Sequence, residues 1–313
     1  MWRFIAQRIV ATIPVLFVVA LFVFVLLRLS PGDPAAVIAG DYATPEAIAR
    51  IRTTLGLDRP VHVQFVGWLW RLLHGDLGTS IFSNMPVTQL IAQRLRPTLA
   101  LSCSTLLLSV SMAVPLGALA AWKAGSWIDR ATMIFAVLGF SMPVFVLGYV
   151  LIYVFAIELR WLPVQGYVSP AADFAGFVQH IVLPSLALSP FLVALIARIT
   201  RASVREVLDE DYIRTAHAKG LTESAVLVRH ALRNAAVPVV TMIGIAVAIL
   251  LGGVVVTESV FNIPGLGRLV FDAILKRDYP IIQGLILFFS FVYVLVNLLV
   301  DILYTALDPR IRY

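Results

Sequence analysis

The chain has 313 residues, of which 60% are hydrophobic and 13% are charged, and its formal net charge is +6. Because a soluble domain carries about 25% charged residues, this composition excludes a protein whose whole surface faces water. The positive residues lie at the ends of apolar runs, which excludes a basic nucleic-acid-binding tract. The single cysteine, Cys103, excludes a disulfide framework and a thiolate metal site.

Six apolar runs are each long enough, at about 20 residues, to cross a bilayer core. They cover residues 9–27, 98–121, 131–157, 181–197, 236–257 and 280–300. The first run is too long for the apolar part of a signal peptide and no small-x-small cleavage site follows it, so we expect it to be retained. The sequence therefore predicts an all-α membrane protein with six transmembrane helices.

A long segment, residues 28–96, separates the first two runs. Thr44 followed by Pro45 is typical of a helix start, and Gly56 predicts its end. Residues 61–73 are apolar and aromatic but too short to span, so they are predicted to lie at the interface or on the bundle. We divide the chain into residues 1–93, the first span with an extracytoplasmic segment, and residues 94–313, a five-span core.

Orientation follows from lysine and arginine, which concentrate in cytoplasmic loops. Seven of them lie in residues 198–234, whereas the short loops on the opposite side hold Arg160 in one and Arg268, Lys276 and Arg277 in the other. The asymmetry predicts that both termini and the loop at residues 198–235 are cytoplasmic.

Residues 209–235 form a polar stretch between two apolar runs. Acidic residues 209–211 suit a helix start, and Tyr212, Ile213 and Ala216 share one face of that helix. Gly220 predicts its end, and Thr222 predicts the N-cap of a second helix. The apolar stripe of the second helix is predicted at residues 221, 225, 228 and 232. The pattern fits an ordinary loop on the membrane surface as well as a docking element.

The six runs contain no Asp, Glu, Lys, Arg or His. Ion-coupled carriers and intramembrane enzymes place titratable groups at membrane depth, so a stand-alone carrier, channel or enzyme is the weaker alternative. Glu258 and Asp301 lie at run ends, where a charge costs little, and are not predicted as solute ligands. Without a GxxxxGK[ST] loop, energy for active transport must come from another subunit. Gly252 and Gly253 are candidates for a bend that lines a path.

Residues 215–221, TAHAKGL, and residues 230–235, HALRNA, resemble the coupling loop of ABC-importer permeases of the dipeptide, oligopeptide and nickel branch. The broad family has Glu-Ala-Ala, three residues, then Gly. Here Ala216 and Gly220 match, while Arg214 and Thr215 replace Glu and the first Ala. Residues 257–270, 277–284 and 297–312 also resemble the branch.

The resemblance implies a type I importer fold in the cytoplasmic membrane of a prokaryote. It implies a heterodimer with a second, homologous permease, two ATPase subunits that bind ATP and Mg²⁺, and an extracytoplasmic solute-binding protein. The residues implied in coupling to an ATPase are Tyr212, Ile213, Thr215, Ala216, Ala218, Lys219, Gly220 and Leu221. Peptides are the expected solute, with nickel chelates and glutathione as alternatives. The chain itself is expected to hold no cofactor, metal or nucleic acid.

Overall fold

The structure is a computed structural model that describes residues 2–29, 35–36, 44–54 and 58–307. Within these ranges the chain is helical, and the extended pairing there is one isolated bridge between Thr79 and Pro86. The all-α prediction is confirmed. The predicted helix stop at Gly56 and the tail at 308–313 lie outside the described residues.

The helices are numbered here in chain order. They are α1 (Trp2–Leu29), α2 (Pro45–Thr54), α3 (Val61–Leu73), α4 (Val87–Trp122), α5 (Trp127–Ser141), α6 (Val144–Glu158, π-helical from Ile152), α7 (Phe174–Leu208), α8 (Asp211–Ala218), α9 (Glu223–Asn234, π-helical over Val226–Ala231), α10 (Ala236–Gly253), α11 (Val255–Val260), α12 (Leu266–Lys276) and α13 (Tyr279–Leu307).

The chain divides into two compact units, and the first comprises Met1–Arg96 and Gly265–Val294. The predicted division after residue 93 did not include the second of these segments. Its addition follows from burial, because Val87 and Ile91 of α4 form one apolar cluster with Leu266 of α12 and Leu285 of α13. Such long-range pairing of apolar faces leaves no local pattern in the sequence.

A buried carboxylate joins two turns of this unit through hydrogen bonds. Asp278 is 2% exposed and accepts a hydrogen bond of 2.6 Å from the Ser80 hydroxyl and one of 3.3 Å from the Ile81 backbone N–H. A carboxylate that is taken out of water needs such donors. The contact therefore joins the turn before α4 to the turn between α12 and α13.

Helix α3 packs on α1 through aromatic rings. The Phe65 ring centroid lies 5.0 Å from that of Phe24, and the Trp68 centroid lies 5.5 Å from Phe24. At 13 residues α3 is too short to span a membrane, as predicted. Trp70 stays 65% exposed.

The second unit comprises Pro97–Pro264 and Leu295–Tyr313, and α7 runs through its main apolar cluster. Leu192 and Ile196 of α7 pack with Leu101 of α4 and Leu250 of α10 in one cluster. The small residue Gly117 lets α4 approach α7 closely, since a Cβ there would lie 2.6 Å from the Ala197 carbonyl oxygen.

Within the described residues, three helices are long and apolar enough to cross a membrane, and two bent helix pairs raise the number to five. The three are α4, α7 and α13; the pairs are α5 with α6 and α9 with α10. The predicted first span lies in α1, where the apolar stretch Val10–Val25 is too short to be counted among them. The number of six spans stays a prediction.

The predicted third span, residues 131–157, is not one straight helix. Helices α5 and α6 meet at 98°. Met142 is extended there, with ψ of 121°, because Pro143 follows it and proline disfavours the α conformation in the preceding residue. The predicted span therefore consists of two helices that join at Pro143.

Glu258 also differs from expectation. It lies near the end of an apolar run, as predicted, yet it is 0% exposed. Its Oε1 accepts a 2.6 Å hydrogen bond from the Thr98 hydroxyl of α4. A buried carboxylate is costly without such donors. The prediction that a charge costs little at this position is therefore wrong, and the hydrogen bond from Thr98 holds Glu258 in place.

We expect Gly117→Ala to destabilise the second unit by about 1–3 kcal/mol, because the added methyl group would overpack the contact with α7. The measurement is the thermal unfolding midpoint in detergent. Gly67→Ala in α3 is the control, since its Cβ would have nothing within 4 Å. An unchanged midpoint for Gly117→Ala would contradict the close packing of α4 on α7.

Candidate functional site

The polar loop at residues 209–235 forms two helices that meet at a corner, as its sequence predicts. Helix α8 begins after Glu210 and ends at Ala218, with Gly220 at φ +78°. The Gly220 N–H donates to the His217 carbonyl at 2.9 Å, and the Leu221 N–H donates to the Ala216 carbonyl at 3.3 Å. These are the two bonds of a Schellman cap, in which the left-handed residue is usually glycine. The predicted helix stop at Gly220 is confirmed.

Helix α9 begins after Thr222, where the N-cap was predicted, and Thr222 has the extended backbone of a cap residue. Its side chain makes no capping hydrogen bond. The cap position is therefore confirmed, but the predicted side-chain interaction is not present.

The predicted apolar stripe of α9 is confirmed only in part: Leu221 and Leu232 pack against buried clusters, but Val228 does not. Val228 is 64% exposed, whereas Val226, Leu227 and Ala231 are buried. The π-helical stretch Val226–Ala231 explains the shift, because a wider turn rotates the following residues out of α-helical register.

One small apolar cluster holds α8 against its own chain. Ile213 is 2% exposed and Ala216 is 6% exposed, and both pack with Val226 of α9. Val207 and Leu208 at the end of α7 complete the cluster. The structure thus corrects the part expected for Ile213 and Ala216 as direct contacts of another protein: they face inward and fix the helix.

A hydrogen bond adds to this anchoring at the other end of the loop. The Asn234 side-chain amide, at the end of α9, donates to the Tyr212 hydroxyl at 2.8 Å. Tyr212 is 42% exposed, so its ring still presents a surface to solvent. The loop is consequently tied at its first and last turns.

The outward face of α8 is mainly polar, with small side chains beside charged ones. Thr215, Ala218 and Lys219 are exposed, and Gly220 at the corner has nothing within 4 Å of its Cβ position. Arg214 and Asp211 form an exposed ion pair of 3.2 Å. The site residues predicted from sequence therefore separate into an inward pair, Ile213 and Ala216, a half-buried Leu221, and an outward surface.

A part-buried ion pair that the sequence did not predict lies beside this loop. Asp129, in the first turn of α5, is 5% exposed and accepts two hydrogen bonds from the Arg201 guanidinium of α7. In sequence, Ser126 followed three residues later by an acidic residue indicates only a helix N-terminus. Its long-range partner had no local signal.

Gly252 and Gly253, the predicted path bend, lie at the end of α10, and the non-helical Val254 separates them from α11. A Cβ at Gly252 would meet nothing within 4 Å. A nearby apolar cavity of about 30 Å³ is lined by Leu188, Ile249 and Val254 among others. This volume is about that of one water molecule in the liquid, far below that of a peptide.

Comparison with known proteins gives matches over nearly the whole chain. Residues 113–313 match the family described as binding-protein-dependent transport system inner membrane component, and residues 1–102 match the N-terminal family of the same systems. The chain is 56% identical over 310 residues to the probable peptide ABC transporter permease y4tP of Sinorhizobium fredii (strain NBRC 101917 / NGR234), covering 99% of each chain.

Two further likenesses are informative. The chain is 46% identical over 313 residues to the glutathione transport system permease GsiC of Salmonella typhi, with 100% of both chains covered. Among solved structures it is similar to an inward-facing MetNI methionine ABC transporter, with a TM-score of 0.57, 17% identity, and 71% of this chain and 97% of that chain covered. At that identity the likeness concerns the fold.

We expect Ile213→Ala to loosen α8, because truncating a fully buried isoleucine costs about 2–5 kcal/mol. The measurement is amide hydrogen exchange over residues 211–219, which should speed up by at least about tenfold. Thr215→Ala, on the exposed side of the same helix, is the matched control and should leave exchange nearly unchanged. Equal exchange in both variants would contradict the anchoring role of the cluster.

Proposed function

Because the chain belongs to the family of binding-protein-dependent transport system inner membrane components, we propose that α8 docks an ATPase subunit and that the chain forms half of a peptide translocation pathway. The chain is a permease subunit of an ABC importer and a multi-pass protein of the inner membrane, not an enzyme. It works together with ATPase and other partner components.

The observation that carries the docking proposal is the division of α8 into two faces. Its buried residues Ile213 and Ala216 pack on its own chain, and its exposed surface is mainly polar. A helix that is held from behind and exposes Thr215 and Ala218 can enter a groove on another protein. Lys219 at its end supplies a positive charge for an acidic rim.

In the proposed mechanism, α8 transmits the movement of the ATPase subunits to the apolar helices. When the ATPase subunits close, they push α8, and the cluster under Ile213 passes this displacement to α7 and α9. Helix α7 is itself long and apolar, and α9 leads into the apolar helix α10 through a 61° bend. The apolar helices then change between inward-open and outward-open arrangements.

The proposed partners are a second homologous permease, two ATPase subunits and an extracytoplasmic solute-binding protein. ATP and Mg²⁺ would be bound by the ATPase subunits. The peptide path is proposed to form between the two permease chains. The Gly252 bend is proposed to face that path.

Peptides are the proposed solute because a relative named as a probable peptide permease shares 56% of its residues with this chain. Glutathione is the second candidate, since the permease named for glutathione transport is 46% identical over the full length. Both compounds are short peptides in chemical terms, so one pathway chemistry suits either.

The docking proposal predicts that Thr215→Trp weakens association with the ATPase by at least about tenfold, the equivalent of about 1.4 kcal/mol. The bulky ring would occupy the narrow outward face of α8 without entering its buried side. The measurement is the amount of ATPase that copurifies with the tagged permease in mild detergent.

Glu206→Trp is the matched control for this experiment, because Glu206 is an exposed helical position just before the loop. It should leave copurification unchanged. Intact association and transport in Thr215→Trp would show that α8 is not the docking element.

The solute proposal predicts that the assembled importer in proteoliposomes takes up a labelled dipeptide in an ATP-dependent manner. Excess unlabelled di- or tetrapeptide should abolish this uptake, while glutathione should leave most of it. Complete competition by glutathione, with ATP-dependent uptake of labelled glutathione itself, would favour the second candidate.

A further inference from the structure

The short corner between α4 and α5, residues 122–129, is tied to the chain on both sides of α8. The first tie is the part-buried ion pair between Asp129 and Arg201. The Arg201 Nη2 donates to Asp129 Oδ2 at 2.8 Å, and its Nε donates to Oδ1. The Gly125 backbone N–H adds a bond of 2.9 Å to Oδ2. Asp129 is thereby fixed in orientation by two different segments.

The second tie lies after α8. The Trp122 indole N–H, at the end of α4, donates to Glu223 Oε2 at 3.2 Å. The other oxygen of Glu223 lies 3.6 Å from Nδ1 of His217 in the last turn of α8. One side chain in the first turn of α9 thus contacts both the corner and α8.

Apolar packing lies between the two ties. Ala118 and Ala121 of α4 form a buried cluster with Val204 of α7 and with Leu227 and Ala231 of α9. Polar ties at both ends of a packed cluster restrict sliding of the corner relative to the loop. The corner and α8 therefore have few independent movements.

We infer that Asp129 and Arg201, assisted by Trp122 and Glu223, are positioning residues that pass the displacement of α8 to α4 and α5. This inference rests on the proposed docking of an ATPase subunit at α8. The Ile213 cluster reaches α7 and α9 directly, but α5 is tied to the base of the loop through Asp129. Without the Asp129–Arg201 contact, α8 moves but its displacement is not passed to α5.

The test measures solute transported per ATP hydrolysed by the assembled importer, with its ATPases, second permease and binding protein, in proteoliposomes. Asp129→Asn should lower this ratio by about tenfold, within the usual range of coupling energies, while ATP hydrolysis and subunit composition stay close to wild type. Arg201→Gln should give the same loss. The double variant should be no worse than either single variant, because both remove one interaction.

Asp209→Asn is the matched control, because the Arg205–Asp209 pair is exposed and 3.6 Å long, and this change keeps the Arg205 charge that acts on Asp129. It should leave the ratio unchanged. An unchanged ratio in Asp129→Asn, or a drop equally large in Asp209→Asn, would overturn the inference.

A purely structural role would lower transport and ATP hydrolysis in proportion, with loss of folded complex, and would also overturn it. If Asp129→Asn yields no folded protein, Trp122→Phe replaces it, since this change keeps the apolar ring and removes the N–H donor. A wild-type ratio in Trp122→Phe would then overturn the inference. Failure of the docking proposal is seen separately, as undiminished ATPase copurification in Thr215→Trp.

Discussion

The burial of Ile213 and Ala216, on the inner face of α8, is the contact on which the proposed docking surface depends. Their packing against Val226 decides which side of the helix is hidden, and the Schellman cap at Gly220 decides where it ends. Together they leave the small polar side, with Thr215, facing outward. A helix of eight residues is marginal in isolation, so its shape before any partner binds comes from this tertiary contact.

Local chemistry was enough to predict the helix stop at Gly220 and the helix start at Pro45, since backbone conformation there depends on a few neighbouring residues. Long apolar runs likewise predicted the helical class. The sequence was not enough for the exposure of Val228, because a π-helical turn changes register without any marker in composition. Nor could it pair Asp129 with Arg201, which lie 72 positions apart, because such contacts depend on how whole helices pack.

The distribution of charge explains why this chain works with partners. Its six predicted spans contain no Asp, Glu, Lys, Arg or His, the residues that commonly build a proton relay. The buried carboxylates Glu258 and Asp278 each accept a hydrogen bond from a hydroxyl group, which suits a structural part. Charge and polarity are instead gathered in the loop around α8 and in the corner beside it. In the proposed function, the chain lines part of the path and docks the partner that supplies the energy.

The most direct test of this account is native mass spectrometry of the complex that copurifies with the tagged chain in mild detergent. The account predicts a second multi-span permease together with ATPase subunits that carry a P-loop, and loss of the ATPase alone when α8 is altered at Thr215. Recovery of the chain by itself, still able to move a solute into liposomes without ATP, would contradict the account.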